Sequence, residues 1–153
     1  MNIGNAVDDF TLASTGGDFQ LSALRGGSVV LFFYPRDDTP GCTIEGNEFS
    51  TLLPKFAAAN ATVLGISRDT LKKHEKFRAK YAYSHHLLAD PDETICNQFD
   101  VMKNKTMYGK PVRGIVRSTF VIDKEGRLAH EWRNIKSIEN HAATVLTAVL
   151  EMR

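Results

Sequence analysis

The sequence predicts an α/β chain, with a central mixed β-sheet flanked by helices and a β-hairpin ahead of it. Three observations carry this. Short runs of β-branched, aliphatic and aromatic residues alternate with stretches whose apolar residues recur at helical spacing. Strands that alternate with helices imply crossover connections and helices on both faces of the sheet. The chain then closes on two strands joined by a tight turn and a last helix, so the sheet takes antiparallel members as well.

In order, Phe10-Thr11-Leu12 and Phe19-Gln20-Leu21 flank Ser14-Thr15-Gly16-Gly17-Asp18, a hairpin with its turn. Ser22 is placed to cap one helical turn before Gly26-Gly27. Val29 to Tyr34 reads as a strand buried on both faces, ended by Pro35. From Cys42 to about Ala59, the spacing of Phe49, Leu52, Leu53 and Phe56 predicts a helix, with Pro54 expected to kink or divide it. Ala61 to Ser67 is the next strand. Asp69 or Thr70 caps a helix carrying Leu71, Phe77 and Tyr81. His86 to Ala89 is a short strand, and Ile95 and Phe99 mark a short helix. The polar stretch 102–114, with Gly109, Pro111 and Gly114, reads as a loop. Ile115 to Ile122 and Arg127 to Arg133 pair about the turn Asp123-Lys124-Glu125-Gly126, and a helix from Ile138 to Met152 follows. A closing hairpin and helix after a βαβ half is the thioredoxin-like arrangement. The chain shows no internal repeat and no linker, so it reads as a single domain over residues 1–153.

A net charge of +1 gives no global reason to expect nucleic acid or an anionic membrane as partner. The longest apolar stretches are too short to span a bilayer, and the N-terminus lacks the basic and apolar regions of a signal peptide. With only two cysteines, Cys42 and Cys96, the chain is no disulfide scaffold. A cytoplasmic location and a catalytic or redox use of cysteine are therefore expected. The histidines give no metal-ligand spacing. His85 and His86 are adjacent, while His74, His130 and His141 are scattered, and all read as surface residues. No phosphate loop is present, and no cofactor or metal is predicted. Trp132 reads as packing.

Chemistry concentrates at Cys42. It begins a helix, where unpaired N–H groups and the helix dipole favour a negative sulfur. Pro40-Gly41 before it lets backbone approach closely, and Thr39 supplies a hydroxyl that both donates and accepts. This polar, turn-rich setting differs from that of an inert buried cysteine.

Pro35-x-x-x-Thr39-x-x-Cys42 resembles the active-site signature of the peroxiredoxins. The fuller run Asp37-Asp38-Thr39-Pro40-Gly41-Cys42-Thr43-x-Glu45 is similar to the PrxQ, or bacterioferritin-comigratory, branch. So are Leu88-Ala89-Asp90-Pro91, the Lys110-to-Gly114 stretch and the Arg-bearing run Gly114 to Asp123. The resemblance implies a thioredoxin-like fold and a thiol-dependent peroxidase that reduces hydrogen peroxide and organic hydroperoxides. In it Cys42 is the peroxidatic thiolate, Thr39 holds the peroxide, Pro35 shields the pocket, and Arg117 stabilises the developing charge. Such charge needs pre-placed donors, which a helix start and a guanidinium supply. Glu45, one turn beyond Cys42, is placed to orient Arg117 or simply to favour the helix start. Arg36, Asp37 and Asp38 read as solvated turn residues.

Many PrxQ members carry a resolving cysteine five residues after the peroxidatic one, and here that position is Asn47. Residues 68–81 hold none either. Cys96 remains, either as a resolving thiol or as a small core residue. The resemblance is to the one-Cys kind: a monomer whose sulfenic acid is reduced by an external thiol such as thioredoxin, glutaredoxin or glutathione. The alternatives are a disulfide oxidoreductase, which lacks its C-x-x-C here, and a thioredoxin-like binding or chaperone module without chemistry.

Overall fold

A computed structural model describes residues 1–152, the side chain of Met107 excepted. In chain order the strands and helices are β1 (Thr11–Leu12), β2 (Phe19–Gln20), β3 (Ser28–Phe33), α1 (Pro40–Ala58), β4 (Ala61–Ser67), α2 (Leu71–Tyr81), β5 (His86–Ala89), α3 (Thr94–Gln98), β6 (Met102–Met107), β7 (Lys110–Ile115), β8 (Ser118–Ile122), β9 (Leu128–Trp132) and α4 (His141–Glu151). The central sheet has five strands in the order β5-β4-β3-β8-β9. β3 pairs parallel with β4 and antiparallel with β8, so the sheet is mixed, as expected. The β1–β2 hairpin hands its backbone to the sheet edge: Thr15 N–H bonds Leu87 O and Ala89 N–H bonds Ala13 O, which covers an otherwise open strand.

The alternation of β3 divides the core into two layers. Val29, Leu31 and Phe33 face a cluster that includes Ile95, Cys96, Phe99, Met102 and Ile115. Val30, Phe32 and Tyr34 face the other, with Cys42, Phe49 and Phe56 of α1, Phe77 of α2 and Val145 and Val149 of α4. Phe32 stacks on Phe49 at 4.5 Å, which locks α1 to the sheet.

Several expectations need correction. The stretch 102–114 is the β6–β7 hairpin, not a loop, and its two-residue turn places Tyr108 and Gly109 at φ 53° and 76°. Two consecutive positive φ values match the right-handed twist of a hairpin. The pattern hid it because these strands pair only with each other and bury little besides Met102, Gly114 and Ile115. The run Ile115 to Ile122 is two strands, with Val116-Arg117 as the joint between the arm and the central sheet. α1 starts at Pro40, with Thr39 at its N-cap, and runs unbroken through Pro54. Pro54 is exposed, and Phe49 and Phe56 on either side of it hold both halves of the helix on the core. Ser22 does not cap the 3-10 turn Leu21–Leu24; its N–H and hydroxyl both bond Asp9. Thr70, not Asp69, caps α2.

The histidines also depart from expectation. His74, His85 and His141 are buried. His74 bridges Asp37 Oδ2 at 2.7 Å and Leu88 O at 2.9 Å. His85 lies stacked on Tyr83 and edge-on to Phe32, and burial first, then Arg78, holds it down at about 3. His141 pairs with Thr119 Oγ1 at 2.8 Å. Among the described residues no group of His, Cys, Asp or Glu is arranged to hold a metal ion.

Candidate active site

The sheet ends and α1 begins at one place, and Arg117 reaches it from across the sheet. Pro40 occupies the first turn of α1, where its missing N–H costs nothing, and Cys42 is the third helical residue. Cys42 is 2% exposed. Arg117 sits beside the start of β8, whose Ser118 pairs with Phe33, the last residue of β3. Its backbone carbonyl is fixed by Ile135 N–H. From that joint the guanidinium spans two partners: Nη2 lies 3.3 Å from Cys42 Sγ, and Nη1 donates to Glu45 Oε1 at 2.5 Å. Gly41 makes room for it. A Cβ there would stand 3.2 Å from Arg117 Nη2 and 2.9 Å from Ile138 Cδ1.

The expected Arg117–Glu45 ion pair is therefore present, and Glu45 is far more buried than a first-turn surface carboxylate. Its side chain is 1% exposed, and Oε2 has no hydrogen-bond partner among the described residues. Burial pushes the Glu45 carboxyl up to about 7, with Arg117 offsetting only part of that cost. For Arg117 the balance is reversed: burial opposes its charge, but Glu45 and Cys42 outweigh it and hold the group above its ordinary range. Burial, and after it the same cation, pushes His141 down to about 4. Tyr83 supports the helix start, donating to Thr43 O at 3.0 Å.

Thr39 Oγ1 donates to Arg36 O at 2.9 Å, so its lone pairs stay free. Pro35 and Arg117 line a groove of about 630 Å³ that runs under the β6–β7 arm and along Arg133-Asn134-Ile135. Pro35, Thr39, Cys42, Arg117 and Glu45 thus gather around one helix start. Cys96 does not join them. It lies in the other core layer at 0% exposure, and burial, then a hydrogen bond to Asp90, raises its thiol well above the ordinary range.

Asp37 is not a solvated turn residue. Its side chain is 6% exposed, accepts from Tyr34 Oη at 2.6 Å and pairs with His74, which ties the turn before Cys42 to α2. Nothing in the local sequence marks that partnership, because His74 lies 37 residues away. Lys105, on the arm, was also not foreseen, since its segment carried no strand signal.

An Arg-braced sulfur at a helix start, at the end of such a sheet, is the equipment of a thiol-dependent peroxidase with a thioredoxin-like fold. Residues 3–131 match the AhpC/TSA family, and the chain belongs to it. It is 47% identical over 145 residues to peroxiredoxin Bcp of Xanthomonas campestris, covering 94% of this chain and 90% of that one. Among solved structures, a mutant of Xylella fastidiosa PrxQ superposes with a TM-score of 0.94 at 43% identity, covering 99% and 97% of the two chains. The X. campestris bacterioferritin comigratory protein, described with alkyl peroxide reduction activity, superposes with a TM-score of 0.90 at 44% identity, covering 99% and 97%. Within the family the chain is a peroxiredoxin of the Bcp/PrxQ kind, an enzyme that uses a peroxide substrate and a thiol reductant. A binding module without chemistry is not favoured. No helix among the described residues is long and apolar enough to cross a membrane.

Proposed function

We propose that Cys42 is the peroxidatic nucleophile and that Arg117, braced by Glu45, stabilises both its thiolate and the charge that develops on the peroxide. The observation that carries this is the single guanidinium bonded to Cys42 Sγ and Glu45 Oε1 together. The thiolate attacks the terminal oxygen of the hydroperoxide. An S–O bond forms, the O–O bond breaks, and the leaving alkoxide or hydroxide takes a proton to become alcohol or water. Thr39, already donating to Arg36 O, accepts the hydrogen bond of the peroxide O–H. Pro35 forms an apolar wall of the groove.

The substrates are hydrogen peroxide and organic hydroperoxides. The alkyl peroxide activity described for the X. campestris relative supports the second class. Reduction comes from an external thiol, either a thioredoxin, a glutaredoxin or glutathione, because Cys96 lies in the opposite core layer. One thiol displaces water from the sulfenic acid to give a mixed disulfide, and a second frees Cys42. In this reading the protein works as a monomer in the cytoplasm. The test is peroxide consumption with a thiol reductant by wild type and Cys42→Ser. Wild type should turn over and the variant should not; equal slow consumption by both would remove Cys42 from the reaction.

A further inference from the structure

The groove beside Arg117 is built of cations. Lys103, Lys105, Arg117 and Arg133 line it, with Asp100 as its only carboxylate. Three of these charges are matched. Lys103 pairs with Asp100 at 2.9 Å, Arg117 with Glu45 at 2.5 Å and Arg133 with Glu131 at 3.2 Å. Lys105 has no carboxylate partner among the described residues, and its ammonium donates only to the Ile115 carbonyl. Nor is it a free surface lysine. It is half-buried on β6, its stem lies against Gly114, and burial and Arg117 together pull it below the ordinary lysine range. The arm that carries it is fastened at its other strand: Arg113 of β7 bonds Glu93, which also holds Arg68. A second cation is thus held near Arg117, partly desolvated and with no carboxylate partner among the described residues; the Cys42 sulfur offsets only part of its cost, and an anion in the groove would relieve the rest.

We propose that Lys105 is a specificity-determining residue, which pairs with a carboxylate seated in the groove and so favours hydroperoxides that carry one over neutral hydroperoxides of the same shape. This rests on the reading of Cys42 as nucleophile. Cys42 reacts at the helix start, Arg117 stands between it and the groove, and the groove receives the remainder of the substrate. Charge at Lys105 then acts on binding and approach rather than on the O–O displacement.

The test uses a tertiary alkyl hydroperoxide bearing a terminal carboxylate and its methyl ester, a pair that differs only in charge. The second-order rate constant for Cys42 oxidation is measured with each, in wild type, Lys105→Met and Lys105→Arg. Wild type should prefer the acid by about tenfold, the size of a charge-assisted contact in a half-buried site. Lys105→Met should abolish the preference, Lys105→Arg should retain most of it, and added salt should shrink it. A wild type that does not discriminate would overturn the proposal. So would a Lys105→Met that slows acid and ester alike, since Lys105 would then act on the thiolate or the fold. If neither compound oxidised wild-type Cys42, the nucleophile assignment itself would fail.

Discussion

Replacing Glu45 by Gln separates what the buried carboxylate does for stability from what it does for Arg117. Gln keeps the shape and an acceptor for Arg117 Nη1 but cannot ionise. The folded-state carboxyl stands at about 7 against an ordinary 4.5, chiefly because burial penalises its charge. A raised folded value means that the native state binds the extra proton between those limits. The contribution to stability is therefore complete below pH 4.5 and is lost as pH rises through about 7. At about 1.4 kcal/mol per pH unit, the loss is about 3 kcal/mol. Urea unfolding at both ends of the window measures it. At pH 4 the carboxyl is mostly protonated whether folded or unfolded, and the two proteins should unfold at similar free energies. At pH 8 Glu45→Gln should be the more stable by about 3 kcal/mol. If the ion pair were instead a net source of stability, the variant would fall behind wild type as pH rises, and that outcome would refute the reasoning.

Other substitutions probe the rest of the site. Arg117→Lys keeps the charge but cannot span Cys42 and Glu45 at once, so the rate constant for Cys42 oxidation by hydrogen peroxide should fall by about a hundredfold in stopped-flow measurement. An undiminished rate would show that the fork geometry is idle. Gly46→Ala places a Cβ 2.6 Å from the Tyr83 ring and hydroxyl. Since Tyr83 is 3% exposed, the clash should cost about 1–3 kcal/mol of unfolding free energy in urea. Cys96→Ala should leave turnover with an external thiol within about twofold of wild type and cost about 1 kcal/mol as a small core truncation. Mass spectrometry of wild type treated with peroxide alone should find sulfenic or over-oxidised Cys42. A loss of two hydrogens, the mark of an internal disulfide, would contradict the external-thiol reading.

The parts of the fold that were legible in sequence are those whose burial pattern is local. β3, β4 and β5 are apolar runs because both of their faces are covered, and α1 shows its inward face at Phe49 and Phe56. The helix start at Cys42 was legible for the same reason, since turn chemistry is written in neighbours. The β6–β7 arm was not, because strands paired only with each other carry no apolar alternation. Asp37 shows the second limit. A charged residue reads as solvated unless a partner is visible, and its partner, His74, lies 37 residues away in sequence. The resemblance supplied Arg117, but nothing supplied His74.

The two cysteines illustrate what topology decides beyond composition. β3 sends successive side chains to opposite layers, and Cys42 and Cys96 belong to different ones. A bond between them would require α1 or α3 to leave its layer and pass an edge of the sheet. α3 is poorly suited to that, since Asp90 Oδ2 holds Ile95 N–H and Cys96 N–H while Glu93 ties its start to Arg68 and Arg113. The raised thiol of Cys96 adds a chemical obstacle, because a thiol that resists ionisation is a poor attacker of a sulfenic acid. Placement and reactivity thus point the same way: on the proposal that Cys42 is the nucleophile, its core layer holds no second cysteine, and the electrons that complete the cycle would enter from the Cys42 side.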